Sequence, residues 1–162
     1  MKHKLSVWAV VVLVSALLFA ISALGQEKSS LPDEVASALG SVRTIETAEM
    51  TYASTYNTGF SRTLAEMGET ATGAKESASR ANLIDYKLAE GRKHGYVFTY
   101  RPGQKDKDGK TSKFTLTARP MKWQKDAVSF FSDETGVIRW TRENRTPTAK
   151  DDPIDSLVGM GK

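Results

Sequence analysis

The sequence predicts an α+β domain in which a long N-terminal amphipathic helix packs on a roughly four-stranded antiparallel sheet. Two patterns and a pair of turns carry that expectation. Between Leu31 and Asn57 the apolar residues Val35, Ala38, Leu39, Val42, Ile45, Tyr52, Ala53 and Tyr56 recur at three- and four-residue spacing, which builds one stripe on a helix. From Gly95 onward the period switches to two, as in strands with one buried face. Asp108-Gly109 and Asp133-Glu134-Thr135-Gly136 supply the turns that fold those strands back on one another.

Taken in order, Met1 to Lys4 is a basic start and Leu5–Leu24 is an uncharged run broken only by Ser6, Ser15 and Ser22. Ala23 and Gly25 place small residues at −3 and −1 before Gln26, the shape of a signal-peptidase site. Residues 1–25 therefore read as a secretory signal. The competing reading is an uncleaved anchor, since about 20 apolar residues suffice to cross a bilayer. Either way the basic residues hold the N-terminus inside and the remainder is exported, to the periplasm or medium if cleaved and at the inner membrane if retained.

The domain proper is expected over 26–143. Ser30, Pro32 and Asp33 mark the helix start through a side-chain cap, a preset φ and an acid at the dipole's positive end. Ser37, Ser41, Thr44, Thr47 and Thr51 fall on the polar face, and Asn57-Thr58-Gly59 ends the helix. A helical turn is expected at Thr63–Met67, a polar surface loop over Glu69–Arg80, and a second helix over Ala81–Glu90, stopped by Gly91. In the sheet, Tyr96, Phe98 and Tyr100 share the inner face with Phe114, Leu116 and Ala118, followed by strands at Val128–Ser132 and around Ile138 and Trp140. The tail, 144–162, is interrupted by Pro147 and Pro153 and is expected to be loosely ordered.

Composition narrows the chemistry. The chain has no cysteine, which removes disulfides, thiolate catalysis and cysteine-rich zinc sites. Net charge is +4, but residues 26–90 hold 6 Lys+Arg against 10 Asp+Glu while residues 91–145 hold 13 against 6. The sheet half is therefore basic. Its outward row, Thr99, Arg101, Lys113, Thr115, Thr117, Arg119, Arg139 and Thr141, is expected to be exposed, with Trp123 as an anchor for a partner. Such a face suits a protein partner in the envelope, or alternatively a polyanion such as DNA or an acidic polysaccharide.

No catalytic constellation is expected. His94 is the single histidine beyond the leader and lies between Lys93 and Gly95 with no identifiable Ser or Asp to serve it. Glu46/Glu49 and Glu66/Glu69 are carboxylate pairs at i,i+3, but Glu46 is explained by a surface pair with Arg43. Glu49 differs, because its helical angle puts it on the apolar stripe between Ile45 and Tyr52. A buried acid needs a partner, such as a backbone amide, a Tyr hydroxyl or an Arg, and Glu49 is expected to pin the helix in register. No phosphate-binding glycine loop stands between a strand and a helix, and no cofactor or metal is expected.

Four pieces of text, SVRTIETAEMTYASTYNTGF, LIDYKLAEGRKHGYVFTYRPG, FTLTARP and FFSDETGVIRW, resemble the globular part of bacterial type IV pilin-like and type II secretion pseudopilin-like proteins. The resemblance covers about residues 35–140, and its most specific parts are TAEMTYASTY (Thr47–Tyr56) and DETGVIR (Asp133–Arg139). It implies a non-enzymatic envelope protein that works by protein–protein contact, with a secretion or pilus system. The chain departs from that class at its start: the prepilin leader motif is missing, and Gly25 stands after the apolar run instead of before it. The class also implies a calcium site in the sheet-side loops, for which Asp106, Asp108, Asp133 and Glu134 would be the residues. A divalent ion wants six or more oxygens, and Lys105, Lys107 and Lys110 interleave the first pair, so the hairpin-turn reading is preferred there.

Overall fold

A computed structural model describes residues 31–159. Helix α1 spans Asp33–Tyr56. Its apolar stripe is buried as the periodicity requires, with Ala38, Val42, Ile45 and Tyr52 each less than 4% exposed. Two details differ from expectation. Pro32 holds the N-cap position without a side-chain cap bond, while Ser30 lies outside the described residues; Asp33 and Glu34 supply the first-turn acids. Ser41, assigned to the polar face, is buried, and its hydroxyl bonds back to the Ser37 carbonyl at 2.9 Å, which satisfies it without a partner from another element. Asn57 closes α1 in the left-handed conformation, with its N–H on the Ala53 carbonyl.

Two single-turn helices follow. α2 is Leu64–Met67, capped by the Thr63 hydroxyl accepting from the Glu66 amide. α3 is Tyr86–Ala89, capped by Asp85. The expected longer helix over Ala81–Glu90 is thus only its last part. Residues 81–84 instead run irregularly against α2, with Asn82 in the left-handed conformation and the amides of Ala81, Leu83 and Ile84 bonding carbonyls of Glu66 and Met67. Those backbone bonds outcompete the weak propensity of a short helical stretch.

The sheet has six strands, not four: β1 Arg92–Lys93, β2 Tyr96–Pro102, β3 Phe114–Pro120, β4 Ser129–Asp133, β5 Arg139–Thr141 and β6 Asp152–Pro153. They pair antiparallel in sequence order. The two outer strands are two residues each, too short for periodicity to reveal. Phe98 lies opposite Ala118, and Ala118 opposite Phe130, which in turn faces Trp140, so one face presents a continuous apolar row. Helix α1 packs against β3 and β4 over that face. The turn between β2 and β3 is larger than a two-residue hairpin: Asp106–Gly109 forms the tip, and Thr111 reaches back to bond Phe60 and Thr58. Gly59 is required there, because a side chain at its φ of +78° would run into the Thr111 backbone.

The tail is not loose over its described part. Beyond β5 the chain brings Asn144 to Arg119 of β3, pairs as β6 with β5 and continues into helix α4, Ile154–Gly159. Pro147 and Leu157 are fully buried. Between the two prolines most side chains stay exposed, and the segment is held by Pro147 itself, by the Arg145–Asp151 bond and by the pairing of Asp152 and Pro153 with β5.

Candidate functional site

Beneath the C-terminal half of α1 lies a polar cluster assembled from four elements. Glu49 projects inward from the helix and is 0% exposed, as is Ser61 from the connection to α2. The Ser61 amide donates to Glu49 Oε2 at 2.8 Å and its hydroxyl to Oε1 at 2.5 Å. Tyr100, on β2, donates to the Ser61 carbonyl at 2.8 Å. Tyr52, one turn along α1 from Glu49, donates to the Ala78 carbonyl at 2.7 Å and stands 3.4 Å from Glu66 Oε2, which also accepts from the Arg62 amide. Burial pushes the Glu49 carboxyl above the usual carboxylate range, and the two Ser61 bonds only partly offset it. Burial, followed by nearby Glu66, lifts the Tyr52 hydroxyl to about 12. Tyr100 moves further in the same direction, again through burial and then Glu49. Glu49 and Ser61 are sealed from solvent, whereas Tyr52 and Glu66 border a cavity of about 270 Å³.

Glu49 therefore has the amide partner expected of it, but the anchor runs chiefly to the loop that follows the helix. Ser61 and Tyr100 were not legible as its partners, since neither spacing nor composition marks a loop serine that will be buried. Glu46 departs from expectation. It accepts a hydrogen bond from the Ser132 hydroxyl on β4 and makes no ion pair with Arg43 among the described residues. Burial raises its carboxyl, with the Ser132 bond and Arg43 acting against that.

The outward face of the sheet is only half as open as its sequence suggests. Arg101 and Lys113 are exposed, as are Thr99 and Thr115, the last opposite Arg101. Arg119 and Arg139 are not free surface. Arg119 donates to Asn144 Oδ1 at 2.9 Å and lies with its guanidinium 5.9 Å from the Trp123 ring centroid. Arg139 donates to the Asp151 carbonyl at 2.9 Å. Trp123 is half-buried against Arg119 instead of standing out as an anchor, and Thr141 is buried. Both arginines are engaged by the 142–153 segment, which also bonds the Thr141 hydroxyl through the Glu143 amide at 3.2 Å and is clipped by Arg145. That guanidinium bonds Asp151 and Glu143, and Asp151 also accepts from the Thr148 amide at 2.6 Å. The Arg145 bond holds the Asp151 carboxyl below its usual range.

The acidic loops are occupied by their own backbone. Asp106 Oδ1 accepts from the amides of Asp108 and Lys110, and Asp133 Oδ1 from the amide and hydroxyl of Thr135. Among the described residues no group of three or more candidate ligands gathers to hold a metal ion. His94 is exposed at the turn between β1 and β2. No described helix is long and apolar enough to cross a membrane; Leu5–Leu24 and the Ala23, Gly25, Gln26 site lie outside the described residues. No protein-family model, curated protein or solved structure matches the chain.

Proposed function

We propose that this is an exported, non-enzymatic envelope protein of pilin or pseudopilin type that acts by protein–protein contact. The observation that carries the reading is the architecture: a helix of 24 residues, downstream of an apolar run, laid along one face of an antiparallel meander. The resemblance of Thr47–Tyr56 and Asp133–Arg139 to that class adds to it. The polar cluster around Glu49 fits the same reading, because its buried bonds serve to lock the helix to the following loop. A polyanion-binding face is the weaker alternative, since Arg119 and Arg139 are engaged by the chain's own C-terminal segment.

The test is the location and state of the native protein. Fractionation, intact mass and N-terminal sequencing are expected to find it beyond the cytoplasm, starting at Gln26 or retaining Leu5–Leu24. Crosslinking in intact cells is expected to recover it with envelope proteins. A cytoplasmic protein, or one that crosslinks to nothing in the envelope, overturns the proposal.

A further inference from the structure

The end of the domain at which the chain enters α1 is built from three segments. Glu34, in the first turn, lies with its carboxylate directly over Gly95, whose φ of +75° favours glycine. Met121 donates its amide to the Gly95 carbonyl at 2.8 Å. Pro32 and Val35 border, with Pro120 and Lys125, a small cavity of about 190 Å³. The loop that follows β3, Met121-Lys122-Trp123-Gln124-Lys125, therefore stands beside the start of the helix.

That loop has an unusual surface. Met121 is 49% exposed, Trp123 half-buried, and Lys122 and Lys125 are exposed and form no ion pair among the described residues. An apolar thioether and an indole flanked by two ammonium groups match the water–bilayer interface, where aromatic bodies settle at headgroup depth and lysines reach lipid phosphates. The acids at this end are Asp33, Glu34, Asp126 and Asp85, the last held by Lys93 at 2.7 Å. Net charge alone therefore does not drive the contact. Exposed Met121 and the uncovered part of the Trp123 ring, whose other contacts are to Arg119, supply it, and the two lysines give it a preference for anionic lipid. In the sequence six residues, Gly25–Ser30, separate the apolar run from Leu31, a tether of at most roughly 20 Å.

We infer that the Met121–Lys125 loop docks this end of the domain onto the anionic headgroup surface of the membrane from which the chain emerges. The inference rests on the export reading above, with Leu5–Leu24 retained. Because the chain has no cysteine, a single one labels a chosen position. The full chain carrying Gln124→Cys, or Lys107→Cys at the opposite end of the sheet, is labelled with a polarity-sensitive fluorophore. Each is then reconstituted in vesicles of phosphatidylcholine and brominated phosphatidylglycerol. Loss of most of the emission at 124 and little at 107 is expected. Met121→Ser combined with Lys122→Glu and Lys125→Glu is expected to restore the emission at 124. Equal quenching at the two positions, or quenching at 124 that survives those substitutions, overturns docking. An intact mass without Leu5–Leu24 overturns the tether, whereas recovery in the cytoplasmic fraction overturns the export reading itself.

Discussion

The Ser61 hydroxyl lies 2.5 Å from Glu49 Oε1, and neither side chain is exposed to solvent. One carboxylate on a helix thus takes both polar hydrogens of a loop residue 12 positions later, fixing where the chain turns after α1. Replacing Glu49 with Ala leaves the Ser61 amide orphaned beside a cavity. We expect a loss of about 2–4 kcal/mol in urea unfolding, the sum of a missing buried bond and unfilled volume. An unchanged midpoint would show that the anchor is dispensable.

Glu49→Gln separates charge from shape. Because burial raises the folded-state pKa above the ordinary carboxylate value, the native protein binds a proton more tightly than the unfolded chain. Stability contributed by the protonated form is therefore lost as pH rises from the ordinary carboxylate pKa through the raised one. Glutamine does not titrate. Its disadvantage relative to the wild type should shrink steadily as pH increases from about 4 to 8. Unfolding curves across that range check this; a gap that widens with pH would contradict the assignment.

Tyr100→Phe removes one buried donor to the Ser61 carbonyl and little volume. A loss of about 1 kcal/mol is expected. Combined with Glu49→Gln, the two effects should fall short of or exceed their sum, because both act on Ser61. Strict additivity in a double-mutant cycle would mean that the cluster is not a single unit.

The Arg145–Asp151 clip carries the opposite pH sign. Asp151 is held below the ordinary carboxylate range by its Arg145 bond, so its contribution is present above the unfolded pKa and lost as pH falls through the folded one. Asp151→Asn should speed hydrogen exchange at the Ile154 amide, which bonds the Ile138 carbonyl at 2.9 Å, and should hasten tryptic cleavage at Arg142 and Lys150. Unaltered exchange at Ile154 would show that burial of Pro147 and Leu157 alone keeps the segment down.

Much of this fold was legible in the sequence where a pattern spans several turns or several strand residues. Val35 through Tyr52, and the row Tyr96, Phe98, Phe114, Leu116 and Ala118, sit where their periods place them. Glu49 was legible because an acid breaks an apolar stripe. Residues whose position depends on distant chain were not. Arg119 and Arg139 alternate as solvent-facing residues should, and nothing local says that residues 142–153 will fold over them. Ser132 taking Glu46 away from Arg43 is the same kind of event, a partner 86 residues away outweighing one at helical spacing.

The sheet is flanked on both sides by strands only two residues long. On one side β1 places Arg92 and Lys93 against Val97 and Tyr96, and β2 ends in Pro102, which has no amide hydrogen. On the other, β6 covers Arg139 and Trp140, again with a proline. A neighbouring molecule looking for a ladder of free amides and carbonyls to extend finds two-residue strands at the flanks and, beyond β1, only the short stretch of β2 between Phe98, whose amide bonds Gly91, and Pro102. Any strand added to this sheet from another molecule would therefore find a short ladder, so that contacts of the proposed kind would be made mainly by side chains on loops and helix surfaces.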